Sequence, residues 1–466
     1  MLTQNYCVRL PIAVAILLCI HCGSESVPQR PDIMLITIDT LRADSLEPYG
    51  ATDTLTPNIT HLASDSVVYE AATTPMPLTR PAHASILTGL YPDQHGVLTN
   101  HQILPEEVLT LAETLRDIGY QTAGFTGIRF LNRRSGLAQG FDAFGAPKNK
   151  KEKPRAKKVV ERAIEWLGDA DSERPILLWV HVYDPHQPYD PPQEFRRGID
   201  PGLEQRIPAI RWSALNRVAR TNNGDVPEDV FELALDYYRG EVEYTDFWIG
   251  RLLEKFNLRR ESRGSMVVVT ADHGECFENG NHFEHADCLY EGALRVPLIV
   301  RYPNGVGAGQ RVDRRVSNLD ITPTVLQQLS LPLPENLAGL PLQDDFSEDG
   351  SRVVLVRAPE IRNPDRIPPR LRIIRSVVGE PVAAATDPQT RGIVDRLWKY
   401  LWTPDSEQLF RLPDERLNRA TEDADLRARL IEAFEAEMLR YPLGGVAPED
   451  RDPETLEALE ALGYVQ

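Results

Sequence analysis

Cysteine is scarce. The chain has five in 466 residues, and three of them, Cys7, Cys19 and Cys22, fall within the first 22. The remaining pair, Cys276 and Cys288, is too few for a disulfide-built scaffold. One bridge between them and two separate thiols are equally compatible with the sequence. Positive charge is also in deficit, with 51 Lys and Arg against 69 Asp and Glu for a net charge of −18. A phosphate backbone demands a basic surface, so nucleic acid is excluded as a partner. Long apolar runs are absent beyond the N-terminus, and no internal repeat is visible.

What remains is an ordinary globular composition, 42% apolar and 26% charged, in a chain long enough for one large domain and a smaller one. At the N-terminus Arg9 precedes the apolar run Leu10–Ile20, broken only by Pro11 and followed by Gly23-Ser24-Glu25-Ser26. That is the layout of a secretory signal, with an apolar core too short for a comfortable membrane span. Residues 1–22 are therefore expected to be a signal peptide and the protein to be exported. It would be periplasmic, secreted, or a lipoprotein held at the membrane through a lipidated Cys22, although His21 and Cys19 depart from the usual lipoprotein pattern.

Asp32-Ile33-Met34-Leu35-Ile36-Thr37-Ile38-Asp39 is a nearly continuous apolar run ending in a carboxylate. Such a run reads as a strand buried on both faces, hence parallel and central. Further strands are expected at Gln121–Phe125, Ile176–Val182, Met266–Thr270 and Val296–Val300. Helices are expected at Pro57–Asp65, from about Ala84, at Leu109–Ile118 and at Tyr237–Phe256. Strands alternating with helices imply a parallel sheet covered on both faces. Near residue 345 the texture changes to short strand-like pieces, Arg352–Val356 and Leu371–Val378, with prolines between. Leu397–Phe410, carrying Trp398, Tyr400 and Trp402 in alternation, suits one half-buried strand. The C-terminal stretch is charged and helical. The expected domains are a catalytic domain over residues 30–345 and a smaller α+β subdomain with a helical tail over 350–466.

In open parallel sheets ligands sit beyond the carboxyl ends of the strands. Asp39 ends the first strand, and Asp272 and His273 end another, in Val-Val-Val-Thr-Ala-Asp-His-Gly-Glu. Two carboxylates and an imidazole at strand ends make a reasonable metal site. Between them stands Pro77-Leu78-Thr79-Arg80-Pro81-Ala82-His83-Ala84-Ser85-Ile86-Leu87-Thr88-Gly89. Here the chain resembles the sulfatase family, which carries C-x-P-x-R or S-x-P-x-R shortly before Leu-Thr-Gly. On that resemblance Thr79 stands in the nucleophile position, Pro81 on the proline and His83 on the arginine. Thr56-Pro57-Asn58, Leu289-Tyr290-Glu291-Gly292, Arg295-Val296-Pro297, Asp320-Ile321-Thr322-Pro323-Thr324 and Leu409-Phe410-Arg411-Leu412 follow in family order. The resemblance runs from about residue 31 onward. It implies an alkaline-phosphatase-like fold: a three-layer αβα sandwich with a central, mostly parallel sheet and a smaller C-terminal subdomain.

The departures bear on chemistry. Sulfatases convert the Cys or Ser to formylglycine, and Thr79 is no substrate for that conversion, so no formylglycine is expected. The motif resembles the branch of the superfamily in which a plain threonine attacks, as in nucleotide pyrophosphatases and phosphoethanolamine transferases. Thr40 replaces a second aspartate, and Gly127-Ile128-Arg129-Phe130 replaces a Gly-Lys-Trp-His segment, so a Lys and a His that usually bind the anion are missing. Arg80 and Arg129 are candidates to replace the lysine, beside the alternative that they are solvated charges.

A threonine hydroxyl is a weak nucleophile and needs a metal or a base. The expected metal ligands are Asp39, Thr79, Asp272 and His273, holding zinc, manganese or calcium. His273 in place of an amide ligand tips the donor set toward a transition metal. The expected catalytic residues are Thr79, His83, His186 and His285, the three histidines serving the anion or the leaving group. Asp184, His186 and His285 are candidates for a second cation. His181, inside its strand, reads as a core histidine, and Trp398, Tyr400 and Trp402 as core rather than a substrate platform. The resemblance therefore implies a sulfatase-like, metal-dependent hydrolase of sulfuric esters acting on a sulfated or phosphorylated small molecule or glycan. Two alternatives stand beside it: a phosphodiester or phosphonate ester hydrolase, or phosphotransferase, using Thr79 covalently, and an inactive anion- or glycan-binding relative.

Overall fold

The run at Asp32–Ile38 forms strand β1, and all seven of its residues are buried. The structure is a computed structural model of the chain that describes residues 30–148, 155–197, 201–206, 228–260, 264–277, 285–286, 288–344, 352–358, 390–403 and 405–441. The signal segment with Cys22, the strand expected at Leu371–Val378, and the tail beyond 441 lie outside the described residues.

Seven further strands join β1: β2 (Val67–Thr73), β3 (Gln121–Thr126), β4 (Ala143–Gly145), β5 (Ile176–Val182), β6 (Ser265–Ala271), β7 (Arg295–Arg301) and β8 (Arg311–Ser317). They form one sheet in the order β4-β3-β5-β1-β6-β7-β2-β8. β7 pairs antiparallel with both β6 and β2, and every other pairing is parallel. β1, β5 and β6 are buried along their whole length, as strands covered on both faces must be. Their apolar residues, with Trp179 among them, make the main core.

The helices differ from expectation in extent more than in place. Pro57–Ser64 and Leu111–Asp117 sit within the expected ranges. The helix expected from about Ala84 starts at Thr79 and runs to Thr88. Pro81 lies in its first turn, where a missing N–H costs nothing. The long helix spans Glu228–Arg260. From it, Asp246 accepts hydrogen bonds from the backbone N–H groups of Asn58 and Ile59 at 3.2 and 2.8 Å. It thereby satisfies two orphan donors at the start of the Pro57–Ser64 helix. Among the described residues no helix is long and apolar enough to cross a membrane.

A second, antiparallel sheet lies C-terminal, with β9 (Val354–Arg357), β10 (Arg391–Val394), β11 (Trp398–Trp402) and β12 (Glu407–Arg411) in the order β12-β11-β10-β9. The single strand expected at Leu397–Phe410 is two strands, β11 and β12. They turn at Thr403–Ser406, where Ser406 N–H donates to the Thr403 hydroxyl at 3.0 Å. Tyr400 is buried and Trp398 and Trp402 are half-buried. Trp402 packs edge-on against Phe434 of the Ala424–Arg440 helix, 4.2 Å between ring centroids, so these aromatics belong to the small core.

The two sheets are tied together by a buried charge. Lys399, within β11, is fully buried, and its ammonium donates to Glu415 Oε1 at 2.6 Å and Leu289 O at 3.0 Å and lies 2.8 Å from Glu291 Oε1. Burial works against the charge of Glu291, but Lys399 and Arg315 hold its carboxyl below the ordinary range. Removing one partner of such a buried set leaves uncompensated charge. Lys399→Ala is therefore expected to cost about 3–5 kcal/mol of stability, read as a lower urea midpoint with an unchanged slope. A loss below about 1 kcal/mol would show that the cluster behaves as a solvated surface pair.

Candidate active site

β1 and β6 pair in register, Ile38 opposite Ala271. The next residues of each, Asp39 and Asp272, therefore leave the sheet side by side at its carboxyl edge. His273 follows, and Gly274 turns the chain there. A β-carbon on Gly274 would collide with the Gly292 carbonyl oxygen, so only glycine lets this loop lie so close to the segment before β7. Gly274 N–H donates to Ala293 O at 2.8 Å and fixes that approach.

Asp39, Asp272 and His273 are fully buried, and one ligand atom from each lies within 4.8 Å of the others. His273 Nε2 is 3.8 Å from Asp39 Oδ1 and 3.5 Å from Asp272 Oδ2. Asp272 Oδ1 accepts from His273 N–H at 2.8 Å. Both oxygens of Asp39, and Oδ2 of Asp272, have no hydrogen-bond partner. Two buried carboxylates this close raise each other's cost of ionisation. Burial first, then Glu275, pushes Asp39 well above the usual carboxylate range, and burial first, then Asp39, does the same to Asp272. Burial pushes His273 well down.

These residues fit a bound divalent cation. Buried oxygens without donors are what a cation satisfies. A tetrahedral ion with bonds of about 2.1 Å places its ligands roughly 3.4 Å apart, close to the spacings found. One nitrogen beside carboxylate oxygens suits zinc or manganese as well as calcium.

Thr79 joins this group. Its Oγ1 is 3.4 Å from His273 Nε2, and its side chain is fully buried. His83, one turn along the same helix, does not face an incoming anion as expected. Its Nδ1 donates to the Thr79 carbonyl at 2.7 Å, and its Nε2 lies 2.9 Å from Thr37 Oγ1, which also accepts from Trp179 Nε1 at 3.0 Å. Both ring nitrogens are thus committed within the protein. Its Nδ1 is also 3.6 Å from Asp272 Oδ2, which makes it a neighbour of the carboxylate pair. Arg80 does not replace the missing lysine, because its guanidinium donates to Gln102 O at 2.8 Å and Phe130 O at 2.5 Å beneath the helix.

His181 was expected in the core, yet it belongs to the site. It lies opposite Thr37 in the β1–β5 register, two residues short of Asp39, so the alternation of the strand aims it the same way. Its Nε2 is 3.5 Å from Asp39 Oδ2 and has no hydrogen-bond partner. His181 also lies grouped with His83 and Asp272, but His83 has both nitrogens bonded to Thr79 and Thr37, so of the two imidazoles His181 is the one left open toward the carboxylates. The signal was a histidine at the last inward position of a strand bordering β1.

His186 and His285 extend the cluster outward. The His285 ring stacks on His273 at 4.5 Å, and His186 meets His285 edge-on at 5.2 Å. Tyr183 Oη lies 2.8 Å from His186 Nδ1. Asp184 is turned away from them, so the second cation set of Asp184, His186 and His285 is not assembled. Asp184 Oδ2 instead accepts from Ala156 N–H at 2.8 Å, and Oδ1 lies 3.9 Å from Arg155. Cys276 and Cys288 are bridged, with their Cα atoms 6.5 Å apart.

Threonine, paired carboxylates and histidines gathered at the carboxyl edge of a mostly parallel sheet define the site of an ester hydrolase of the alkaline-phosphatase-like class. The sulfatase family model matches residues 31–331, well over half of the chain, and the protein belongs to the sulfatase family. A curated relative is the ulvan-active sulfatase of Formosa agariphila, 27% identical over 70% of this chain and 66% of its own. Among solved structures, BT4656 in complex with its substrate D-glucosamine-2-N,6-O-disulfate superposes with a TM-score of 0.71. It is 19% identical and covers 89% of this chain and 98% of that one. The phosphonate monoester hydrolase of Agrobacterium radiobacter superposes with a TM-score of 0.68 at 22% identity, covering 91% of this chain and all of that one. At such identities the two structures speak for the fold.

The carboxylate pair makes a prediction independent of turnover. In protein stripped of metal by a chelator, Asp39→Asn replaces one of two opposed buried carboxyls by a group that never ionises. Its melting temperature is expected to rise by about 2 °C or more, measured by calorimetry. A lower melting temperature would show that the two carboxylates are not in conflict.

Proposed function

We propose that this protein is an exported, metal-dependent hydrolase of sulfuric esters in which the Thr79 hydroxyl is the nucleophile. The observation that carries the reading is Thr79 Oγ1 at 3.4 Å from His273 Nε2, beside the partnerless carboxylate oxygens of Asp39 and Asp272. Asp39, Asp272 and His273, with Thr79, would hold one divalent cation. Such an ion supplies positive charge that favours the threonine alkoxide and draws electrons from a non-bridging ester oxygen. The chain's own residues do the rest. Thr79 Oγ1 bonds to the sulfur or phosphorus as the ester oxygen departs, and water then releases the group from threonine. His186 and His285, ranged outward from His273, stand where the anion and the leaving oxygen would lie. The Cys276–Cys288 bridge supports an oxidising compartment, and hence export. Lipidation of Cys22 would hold the exported protein at the membrane.

The threonine itself favours a second reading. A threonyl sulfate must be cleared by water, a step that formylglycine avoids, whereas covalent phospho-intermediates on hydroxyls are readily hydrolysed. The protein would then cleave phosphate diesters or phosphonate esters.

Nitrophenyl sulfate, phosphate and phosphonate esters assayed side by side separate the two readings. Thr79→Val keeps the volume and loses the hydroxyl. It is expected to lower kcat roughly 10³-fold or more on whichever ester is preferred. Turnover within tenfold of the unmodified enzyme would remove Thr79 from the chemistry. A further expectation concerns the ion. Protein purified without chelator should carry about one divalent metal, and zinc or manganese should restore the melting temperature of stripped protein better than calcium does. Recovery with calcium alone would contradict the mixed nitrogen and oxygen site.

A further inference from the structure

The structure assigns a role to Glu275, which neither the sequence motifs nor the proposed chemistry uses. It is fully buried two residues beyond His273. Its Oε1 lies 2.8 Å from His285 Nδ1, and its Oε2 accepts the Tyr189 hydroxyl proton at 2.8 Å. Its backbone oxygen accepts from Arg42 Nη1 at 2.9 Å. A carboxylate fixed by a tyrosine on one oxygen and facing an imidazole on the other sets the rotation and the tautomer of that ring. We propose that Glu275 is the positioning residue for His285, holding Nδ1 so that the Nε2 edge of the ring is carried away from Glu275, in a plane stacked on His273. This rests on the reading above, in which His285 serves the anion or the leaving oxygen.

The backbone around the pair is held for the same purpose. Cys276, next to Glu275, is bridged to Cys288, whose N–H donates to His285 O at 2.9 Å. One residue further, Leu289 O accepts from Lys399 at 3.0 Å, and Glu291 N–H donates to Glu415 at 2.6 Å. The segment carrying His285 is thus pinned on one side to the loop that carries His273 and on the other to the C-terminal sheet. Such pinning gives a single hydrogen bond the power to set a ring's direction, because neither partner is on a free tether.

The test compares the full-length protein with Glu275→Gln, Glu275→Ala, His285→Ala and the Glu275→Gln/His285→Ala pair. Esters of nitrophenol and of a simple alcohol are the substrates, and metal content is measured alongside. Glu275→Gln is expected to lower kcat about 10- to 100-fold, more for the alkyl ester, with KM within about twofold and metal content unchanged. In the His285→Ala background it should add no further loss. Equal losses in both backgrounds, or loss of metal with the glutamate, would overturn the proposal. Tyr189→Phe leaves Glu275 in place but frees one of its oxygens, and should give a smaller loss in the same direction should the Glu275 variants fail to fold. A second readout does not need turnover. In ¹⁵N-histidine spectra of the metal-loaded protein, His285 Nδ1 should be protonated, and Glu275→Ala should shift that signal. An unprotonated Nδ1 overturns the proposal. An enzyme that cleaves none of the esters yet shows the protonated Nδ1 and its shift would sink the hydrolase reading and leave the Glu275–His285 pairing standing.

Discussion

Two fully buried carboxylates, Asp39 and Asp272, leave neighbouring parallel strands at the same level and face each other without a protein donor on the oxygens between them. In a dry interior such a pair resists ionisation, and a fold that keeps it must meet the cost elsewhere. The surroundings are built accordingly. β1 and β6, which carry the pair, are buried throughout and locked by continuous parallel pairing, so the carboxylates cannot swing apart. Their near neighbours are His83, His181 and His273, which burial keeps on the neutral side, rather than lysine or arginine. His181 and His273, as neutral imidazoles, offer lone pairs beside the carboxylates, a donor set that the proposed cation would complete.

The protein's own buried positive charge is spent at a distance from this centre. Lys399 sits between Glu291 and Glu415, Arg352 pairs with Asp320, and Arg315 bonds to Thr73. The first two join the carboxyl-edge loops of the large sheet to the smaller antiparallel sheet, and Arg315, in β8, also reaches across by donating from Nε to Asp395 O at 3.0 Å. The C-terminal sheet is therefore part of the site's frame, although among the described residues none of its side chains enters the carboxylate cluster. Arg80 follows the same pattern beneath the Thr79 helix, its guanidinium taken up by two loop carbonyls.

The sequence reveals the large sheet because its central strands are unbroken apolar runs, and it reveals Asp39, Asp272, His273 and Thr79 because each stands at the end of a strand or the head of a helix in a recognisable order. His181 was hidden by the same feature that exposed its strand. When both faces are buried, apolar residues occupy every position, and alternation no longer says which way a side chain points. The roles of His83 and Asp184 turned on partners far along the chain, Thr37 and Ala156, which no local pattern discloses. β8, with five charged or polar residues among Arg311–Ser317, does not look like a strand because it closes the edge of the sheet. The hairpin of β11 and β12 was missed because Pro404 and Asp405, ordinary turn residues, lie inside an otherwise strand-like alternation.

The strand order has a consequence for how the chain is made. β1 is synthesised first, yet its two partners are β5 and β6, which end at Val182 and Ala271. A nearly apolar strand is thus made well before β5, which covers one of its edges, and longer still before β6, which covers the other. Contacts so distant in sequence close slowly, and an uncovered apolar edge invites pairing with other chains in the meantime. The centre of the sheet consequently closes only once β6 is in place, and the carboxylate pair meets only at that moment. The cation of the proposed function would therefore be recruited by an already assembled sheet rather than serve as the nucleus around which it folds.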